Sequence, residues 1–488
     1  MDLKPRTPPA NLSALYGQSL VEYQFDGDAI FVISDLHMGG GLQPDGNYTG
    51  CENFFADHAF ARFMNRLAAH PGNQKLLVIN GDLIDFLRIS DIPETPEAIL
   101  QWQQFLNAVG INKSTDELSK SISPKERKYG LKTDDYKSVW KLRVCVQGHP
   151  LFFASLAHWL LAGHRLVITK GNHDLEWYWP AVRACMKQVL AEKMATISSG
   201  STESILQDLV RPNLLFVDDR LIINGKLYIE HGHRYEHFTS VDGPPVLENQ
   251  TELNLPFGSF FNRYLINRIE LAYPYIDNVR PRTNILPVLI RERFPLALKI
   301  VLNYVPFALL VIPKRQYAYA LRYLFHFLWL IGLPVALVVA AFVIHPVKIN
   351  FCTSTGVLGM LFTTLENLAL LALSYFLGRL FAMLKLSSPD SLYQNAEQAM
   401  VTNPNVSIVT FGHTHNPEQR ISSKGRRYYN TGTWIPVFET SAADIRPDRT
   451  YTFLWLTKDA QNIFSTANLV RWNDDAERTE ALILMDRS

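Results

Sequence analysis

The sequence predicts an α/β fold whose strand ends gather polar ligands on one rim, and two observations carry that prediction. Five short apolar runs, Ala29–Ile33, Leu76–Ile79, Leu166–Thr169, Leu227–Ile229 and Ile408–Phe411, each stop at a polar or glycine-bearing turn. Runs of that length and β-rich composition are buried strands. Between them lie stretches with helical spacing, the first being Ala56–Ala69 with Phe60, Phe63 and Leu67 on one face. Asn224-Gly225, set between Leu221–Ile223 and Leu227–Ile229, predicts a tight hairpin, and Lys424-Gly425 predicts another.

Taken in order, the runs end in Ser34-Asp35-Leu36-His37, Asn80-Gly81-Asp82-Leu83-Ile84-Asp85, Gly171-Asn172-His173-Asp174, Glu230-His231-Gly232-His233 and Gly412-His413-Thr414-His415. Singly, each is ordinary turn chemistry. Jointly they are a ligand set, because in open α/β sheets ligands collect outside the strand ends. Carboxylate, carboxamide and imidazole together suit divalent Mn, Fe, Co, Ni or Zn better than all-oxygen Mg or Ca sites. No cysteine is among them, which excludes a structural zinc site. Two ions sharing one ligand clamp both the attacking and the leaving oxygen of an in-line displacement, and Asp82 is the natural bridge. The order and chemistry of the blocks point to phosphoester hydrolysis.

These five blocks resemble the pattern of the calcineurin-like metallophosphoesterase superfamily: Asp-x-His, Gly-Asp-x-x-Asp, Gly-Asn-His-Asp/Glu, a separate histidine block and Gly-His-x-His. The resemblance implies two packed mixed β-sheets flanked by helices. It implies two divalent ions, manganese first, one on Asp35, His37, Asp82 and His415 and the other on Asp82, Asn172, His231 and His413. A hydroxide bridging the two ions would be the nucleophile on phosphorus. His173 would act as general acid or electrostatic clamp near the leaving oxygen, oriented by Asp85, as a carboxylate fixes an imidazole tautomer. In His231-Gly232-His233 either imidazole could be the ligand; the family pattern favours His231 and leaves His233 beside the site or on substrate. Ser34–His37 also resembles the opening of the UDP-2,3-diacylglucosamine hydrolase family, which carries arginine where His173 stands.

With 488 residues, 47% hydrophobic, the chain has room for one large core plus an appendage. A formal net charge of +1 gives no bulk electrostatics for nucleic acid, so no such partner is expected. Cys51, Cys145, Cys185 and Cys352 are scattered without Cys-x-x-Cys spacing, which fits a reducing compartment. Met1 to Leu20 hold no apolar core like that of a signal peptide.

Two long apolar segments separate the fourth and fifth blocks. Tyr323–Ile344 carries one histidine, His326, and no other basic or acidic residue; Gly356–Gly378 carries Glu366 alone among the charges. Each is long enough to cross a bilayer core of about 30 Å, so a transmembrane hairpin of helices 319–344 and 356–384 is predicted. Lys314, Arg315 and Arg322 precede the apolar segment Tyr323–Ile344, Arg379 and Lys385 lie at the end of the second span and the connecting loop holds only Lys348, which places the catalytic side in the cytoplasm. Leu296–Ile312, behind Arg280, Arg282, Arg291 and Arg293, reads as an interfacial helix.

The expected organisation is therefore an enzyme domain at 1–290, with a helical insertion at about 91–163 and a membrane-associated insertion at 291–385, completed by 386–488. The expected setting is a two-span membrane protein with the bilayer as partner. A lipid-linked phosphoester or pyrophosphate is the expected substrate, and the hairpin offers a surface for homo-oligomers. A soluble phosphoester such as a nucleotide, cyclic nucleotide or phosphoprotein, with the hairpin as anchor, is the first alternative, and a non-catalytic scaffold that keeps the fold is the second.

Overall fold

The apolar runs form strands, and these strands divide between two mixed sheets. The structure is a computed structural model that describes residues 20–304 and 390–482, apart from 49, 199–202, 237, 242, 249–250, 281–284, 440–444 and 460–463. In chain order the strands are β1 (Leu20–Tyr23), β2 (Ala29–Ile33), β3 (Lys75–Asn80), β4 (Arg165–Thr169), β5 (Leu214–Val217), β6 (Arg220–Ile223) and β7 (Leu227–Glu230). They continue as β8 (Val279–Arg280), β9 (Ile408–Phe411), β10 (Glu418–Ile421), β11 (Arg427–Asn430), β12 (Phe438–Glu439), β13 (Thr452–Lys458), β14 (Phe464–Asn473) and β15 (Arg478–Ala481).

One sheet runs β15-β14-β13-β2-β3-β4-β5 and the other β1-β6-β7-β9-β11-β10, while β8 and β12 pair with each other. Strands β2 to β5 are parallel neighbours, so each connection between them crosses over through helix. Every residue of β2 and β3 is buried, which is why both read as unbroken apolar runs. The two predicted hairpins form: β6 pairs antiparallel with β7 and β10 with β11. Asn224 and Gly225 have φ of 52° and 65°, the pair of left-handed residues that a tight two-residue turn requires.

Alternation along the strands sorts side chains into layers. Ala29, Phe31, Ile33, Leu77 and Ile79 pack under helices, including Asp57–Ala68, whose Phe60 and Phe63 meet Trp434. Ile30, Val32, Leu76 and Val78 face the opposite way and share one core with Leu221, Ile229 and Ile408 of the second sheet. The outer face of that sheet packs through Tyr228, Val409 and Phe411 on Leu392, Ala396 and Met400 of the helix Asp390–Thr402. The order is helices, sheet, sheet, helix.

The stretch after the second block folds as helices Pro96–Ala108, Thr115–Lys120, Pro124–Tyr129, Asp135–Gly148 and Pro150–Leu161. Its polar part makes two short helices, each opened by a reciprocal capping box, Ser114 with Glu117 and Ser123 with Glu126.

The two-span membrane placement is corrected here. Among the described residues no single helix is long and apolar enough to cross a membrane. The nearest candidate, Asp135–Gly148 with Pro150–Leu161, is bent by 93° at His149 and buries Trp140, Leu142, Phe152 and Trp159 in the helical layer of the core. The predicted hairpin at 319–344 and 356–384, with Glu366, lies outside the described residues. So do Lys314, Arg315, Arg322, Arg379 and Lys385, on which the cytoplasmic assignment rested. Leu296–Ile312 is described only as far as 304, as the helix Phe294–Lys299 continued by a π-helical turn, Ile300–Tyr304.

A buried charge cluster fixes the loop that follows β2. Glu52 accepts from the backbone N–H groups of Gly39, Gly41, Asn53 and Phe54. His149 lies between it and Asp57, at 3.3 and 2.9 Å. Burial would depress the His149 pKa, but Asp57 and Glu52 outweigh burial and raise it from 6.5 to about 9. A raised histidine pKa stabilises the fold fully below the unfolded value and loses that contribution as pH rises through the folded value. Stability should therefore fall by up to about 3 kcal/mol between pH 6.5 and 9. His149→Gln should remove that slope in melting curves taken across this range; an unchanged slope would assign it to other groups.

Candidate metal centre

The loops after β2 and β3 are zipped together by their backbones. Asp35 N–H donates to the Gly81 carbonyl at 3.2 Å, Leu36 and His37 both donate to the Asp82 carbonyl at 2.9 Å, and Met38 donates to Leu83 at 3.1 Å. That ladder sets Asp35 and His37 beside Asp82. The second sheet reaches the same place: His413 N–H donates to the Asp35 carboxylate at 3.0 Å, and Trp434 N–H and Thr433 Oγ1 hold the Asp35 carbonyl.

Holding these side chains inward strains the backbone. Asp35, His37, Asp82, His413 and His415 have φ of 57°, 48°, 53°, 71° and 59°. Among the described residues nine non-glycine residues have positive φ, and five of them are these predicted ligands. Such conformations cost roughly 1 kcal/mol or more each and concentrate where function demands them.

Three groups of donors result, the donor atoms of each lying within 4.8 Å of one another: Asp35, His37 and His415; Asp82, His231 and His413; and His37, Asp82 and His173. His37 Nε2 and His415 Nε2 are 2.9 Å apart, and His415 Nε2 is 3.3 Å from Asp35 Oδ1. Asp82 Oδ2 lies between the first two groups, 3.1 Å from His231 Nε2 and 3.6 Å from His37 Nε2. This is the position expected of a shared ligand.

The orientation of each donor is set from behind. His231 Nδ1 lies 2.8 Å from the Asn80 carbonyl and donates to it, which turns the Nε2 lone pair inward. His413 Nε2 faces Glu236 and Thr239 at 3.2 and 3.4 Å, leaving Nδ1 for the site. Asn172 lines the same cavity, 4% exposed, and its Oδ1 has no hydrogen-bond partner, while His231 Nε2 faces Asp82 Oδ2 at 3.1 Å. A buried acceptor left unmet is costly, and a divalent cation satisfies it. The donor set fits such an ion. His233 is buried beside His231, ring centroids 5.5 Å apart, but joins none of the three groups.

Charge points the same way. Asp35 and Asp82 are buried, which alone would raise their pKa values, yet His231 and neighbouring imidazoles pull both well below the carboxylate range. Conversely, burial opposes protonation of His37, but Asp35, Asp85 and Asp82 raise it to about 10. His231 rises to about 9 against its burial, through Asp82 and Asp35. Burial instead prevails at His415, with His37 and Arg280 adding to it, and pushes it down to about 3. The carboxylates thus demand positive charge, which a bound cation supplies as well as protons do.

His173 and Asp85 form the predicted pair. His173 Nδ1 is 2.7 Å from Asp85 Oδ2, and His173 N–H donates to Asp82 Oδ1 at 2.9 Å. Asp85 is itself gripped by Arg88 Nε at 3.0 Å, and Arg88 also pairs with Glu270 and Asp277. Burial raises the Glu270 carboxyl to about 7 even beside Arg88. Asp174 accepts from Gly171 N–H, Leu83 N–H and Trp177 Nε1, tying the third loop to the second.

Sequence reasoning missed the wall of the site. A cavity of about 210 Å³ opens over the cluster, lined in part by Phe238, Pro256, Phe261, Asn262 and Ile266. The helical insertion at 91–163 contributes nothing to that lining. The only signal was the run Phe257–Ile266, rich in aromatics and with a single asparagine, which carries no ligand motif.

A Cβ on Gly171 would lie 2.1 Å from Asp82 Oδ1, so Gly171→Ala should displace that carboxylate and lower metal content, measured by elemental analysis of the purified protein. Asp82→Ala should deplete both ions together. Full retention of metal by either variant would contradict the bridging assignment.

No known protein family matches the sequence, and no curated protein matches it. The chemistry rests on the side chains themselves.

Proposed function

We propose that the protein is a two-metal phosphoester hydrolase. The observation that carries this reading is the place of Asp82, whose Oδ2 lies within 3.6 Å of imidazole nitrogens from both donor groups. Asp35, His37 and His415 would share one ion with Asp82, and Asn172, His231 and His413 would share the other. Manganese suits this set, as do iron, zinc, cobalt and nickel. When bound, such a pair lowers the pKa of water and neutralises a phosphoryl group.

The remaining work falls to side chains. His173 Nδ1–H donates to Asp85, so Nε2 is the atom left to face a leaving oxygen and pass it a proton. Against its burial, His173, His37 and Arg88 keep Asp85 ionised, and Arg88 Nε holds it in place, which in turn fixes the imidazole tautomer. The lipid-linked substrate expected from the hairpin has no support among the described residues, and the substrate is argued below from the cavity.

Manganese-loaded protein should release phosphate or alcohol from small phosphoesters, and Asp82→Asn should abolish turnover. His173→Ala should lower kcat about 10²- to 10⁴-fold while keeping both ions. Because His173 also stands within one of the donor groups, loss of an ion in that variant would make it a ligand instead.

A further inference from the structure

The cavity over the metal-ligand cluster has a polar floor and a wall of different character. Phe238, Phe261, Ile266 and Ile285 contribute apolar surface beside the ligands. Set into that wall is Asn262, 6% exposed, in a π-helical turn Asn262–Ile266 that follows the helix Phe257–Phe261. Single π turns inside helices recur at functional sites.

The orientation of the Asn262 carboxamide follows from its neighbours. Its Nδ2 donates to Asp85 Oδ2 at 3.5 Å. The amino group therefore faces the carboxylate that orients His173, and the oxygen is directed away from it. That Oδ1 is buried and has no hydrogen-bond partner, in a residue that lines the cavity. A buried acceptor left unmet is unfavourable, and a donor on a bound ligand would satisfy it.

The size of the cavity bounds the ligand. At about 210 Å³ it is smaller than most pockets for drug-sized molecules, and beside the ligands and the polar Asn53, Arg88 and Asp277 it is lined by the apolar Phe238, Phe261, Ile266 and Ile285. Resting on the hydrolase reading above, we propose that the substrate is the phosphoester of a compact apolar alcohol bearing one hydrogen-bond donor. The apolar part seats against Phe238, Phe261, Ile266 and Ile285, and the donor is given to Asn262 Oδ1. In the reaction a water oxygen bonds to phosphorus, keeping one proton on the phosphate and releasing the other to solvent, and the ester P–O bond breaks with its electron pair on the alcohol oxygen. The alcohol takes its proton from His173, which regains one from solvent.

The test is kcat/KM of the manganese-loaded full chain on aryl phosphates matched in leaving-group acidity. One series lengthens an alkyl substituent; the other compares a hydroxymethyl with a methoxymethyl substituent. The first should rise about fourfold per methylene until the cavity fills. In the second, the hydroxymethyl ester should lead by about tenfold, mostly in KM, as one satisfied hydrogen bond predicts. Asn262→Leu should erase the second preference, and Phe261→Ala should flatten the first series. If a variant does not fold, the wild-type ratios decide alone. Turnover with flat series overturns the proposal and leaves the hydrolase reading standing; no turnover of any ester overturns both.

Discussion

Three carboxylates, Asp35, Asp82 and Asp85, are buried together where the two sheets meet, and the rest of the site follows from how their charge is answered. Burying even one anion without compensation is prohibitive. Here the compensation is divided: Arg88 answers Asp85, while Asp35 and Asp82 look onto imidazoles whose lone pairs are turned inward by Asn80, Glu236 and Thr239. A hydrophobic core of the same volume would be easier to fold. The sequence keeps charge there and holds five of the ligands in left-handed backbone, which makes sense only if something cationic binds.

Two sheets are needed for this arrangement. The β2, β3 and β4 ends bring Asp35, His37, Asp82 and Asn172, and the β7 and β9 ends bring His231, His413 and His415. Asp35, His37 and His415, like Asp82, His231 and His413, draw on both sheets, and Asp82 meets His37 from its own sheet and His231 from the other. Gly81 and Gly171 let the loops close on each other, since a Cβ at either would lie within 2.4 Å of a ligand atom or its ring. The shared core of Ile30, Val32 and Ile229 holds the two halves in register.

Much of this was legible in the chain. Strands buried on both faces announce themselves as short β-branched runs, and each ligand block sat at the end of one. The hairpins at Asn224-Gly225 and Lys424-Gly425 were legible because turn chemistry is local. Which sheet each strand joins was not, since β2 pairs with β13, more than 400 residues away, and pairing partners leave no local trace. Asn262 was hidden for the same reason: it lies 177 residues from the Asp85 it touches. The apolar segments after residue 304 read as membrane spans by length and composition alone, and those two properties carried the localisation too far. Within the described residues the same properties mark Asp135–Leu161, whose bend and buried side chains identify it as core.

The most direct test is anomalous diffraction from crystals grown with manganese. The account predicts two ions about 3.5 to 4 Å apart, with Asp82 Oδ2 bound to both, His415 on one and His231 on the other. A single ion, or two that do not share Asp82, would contradict it.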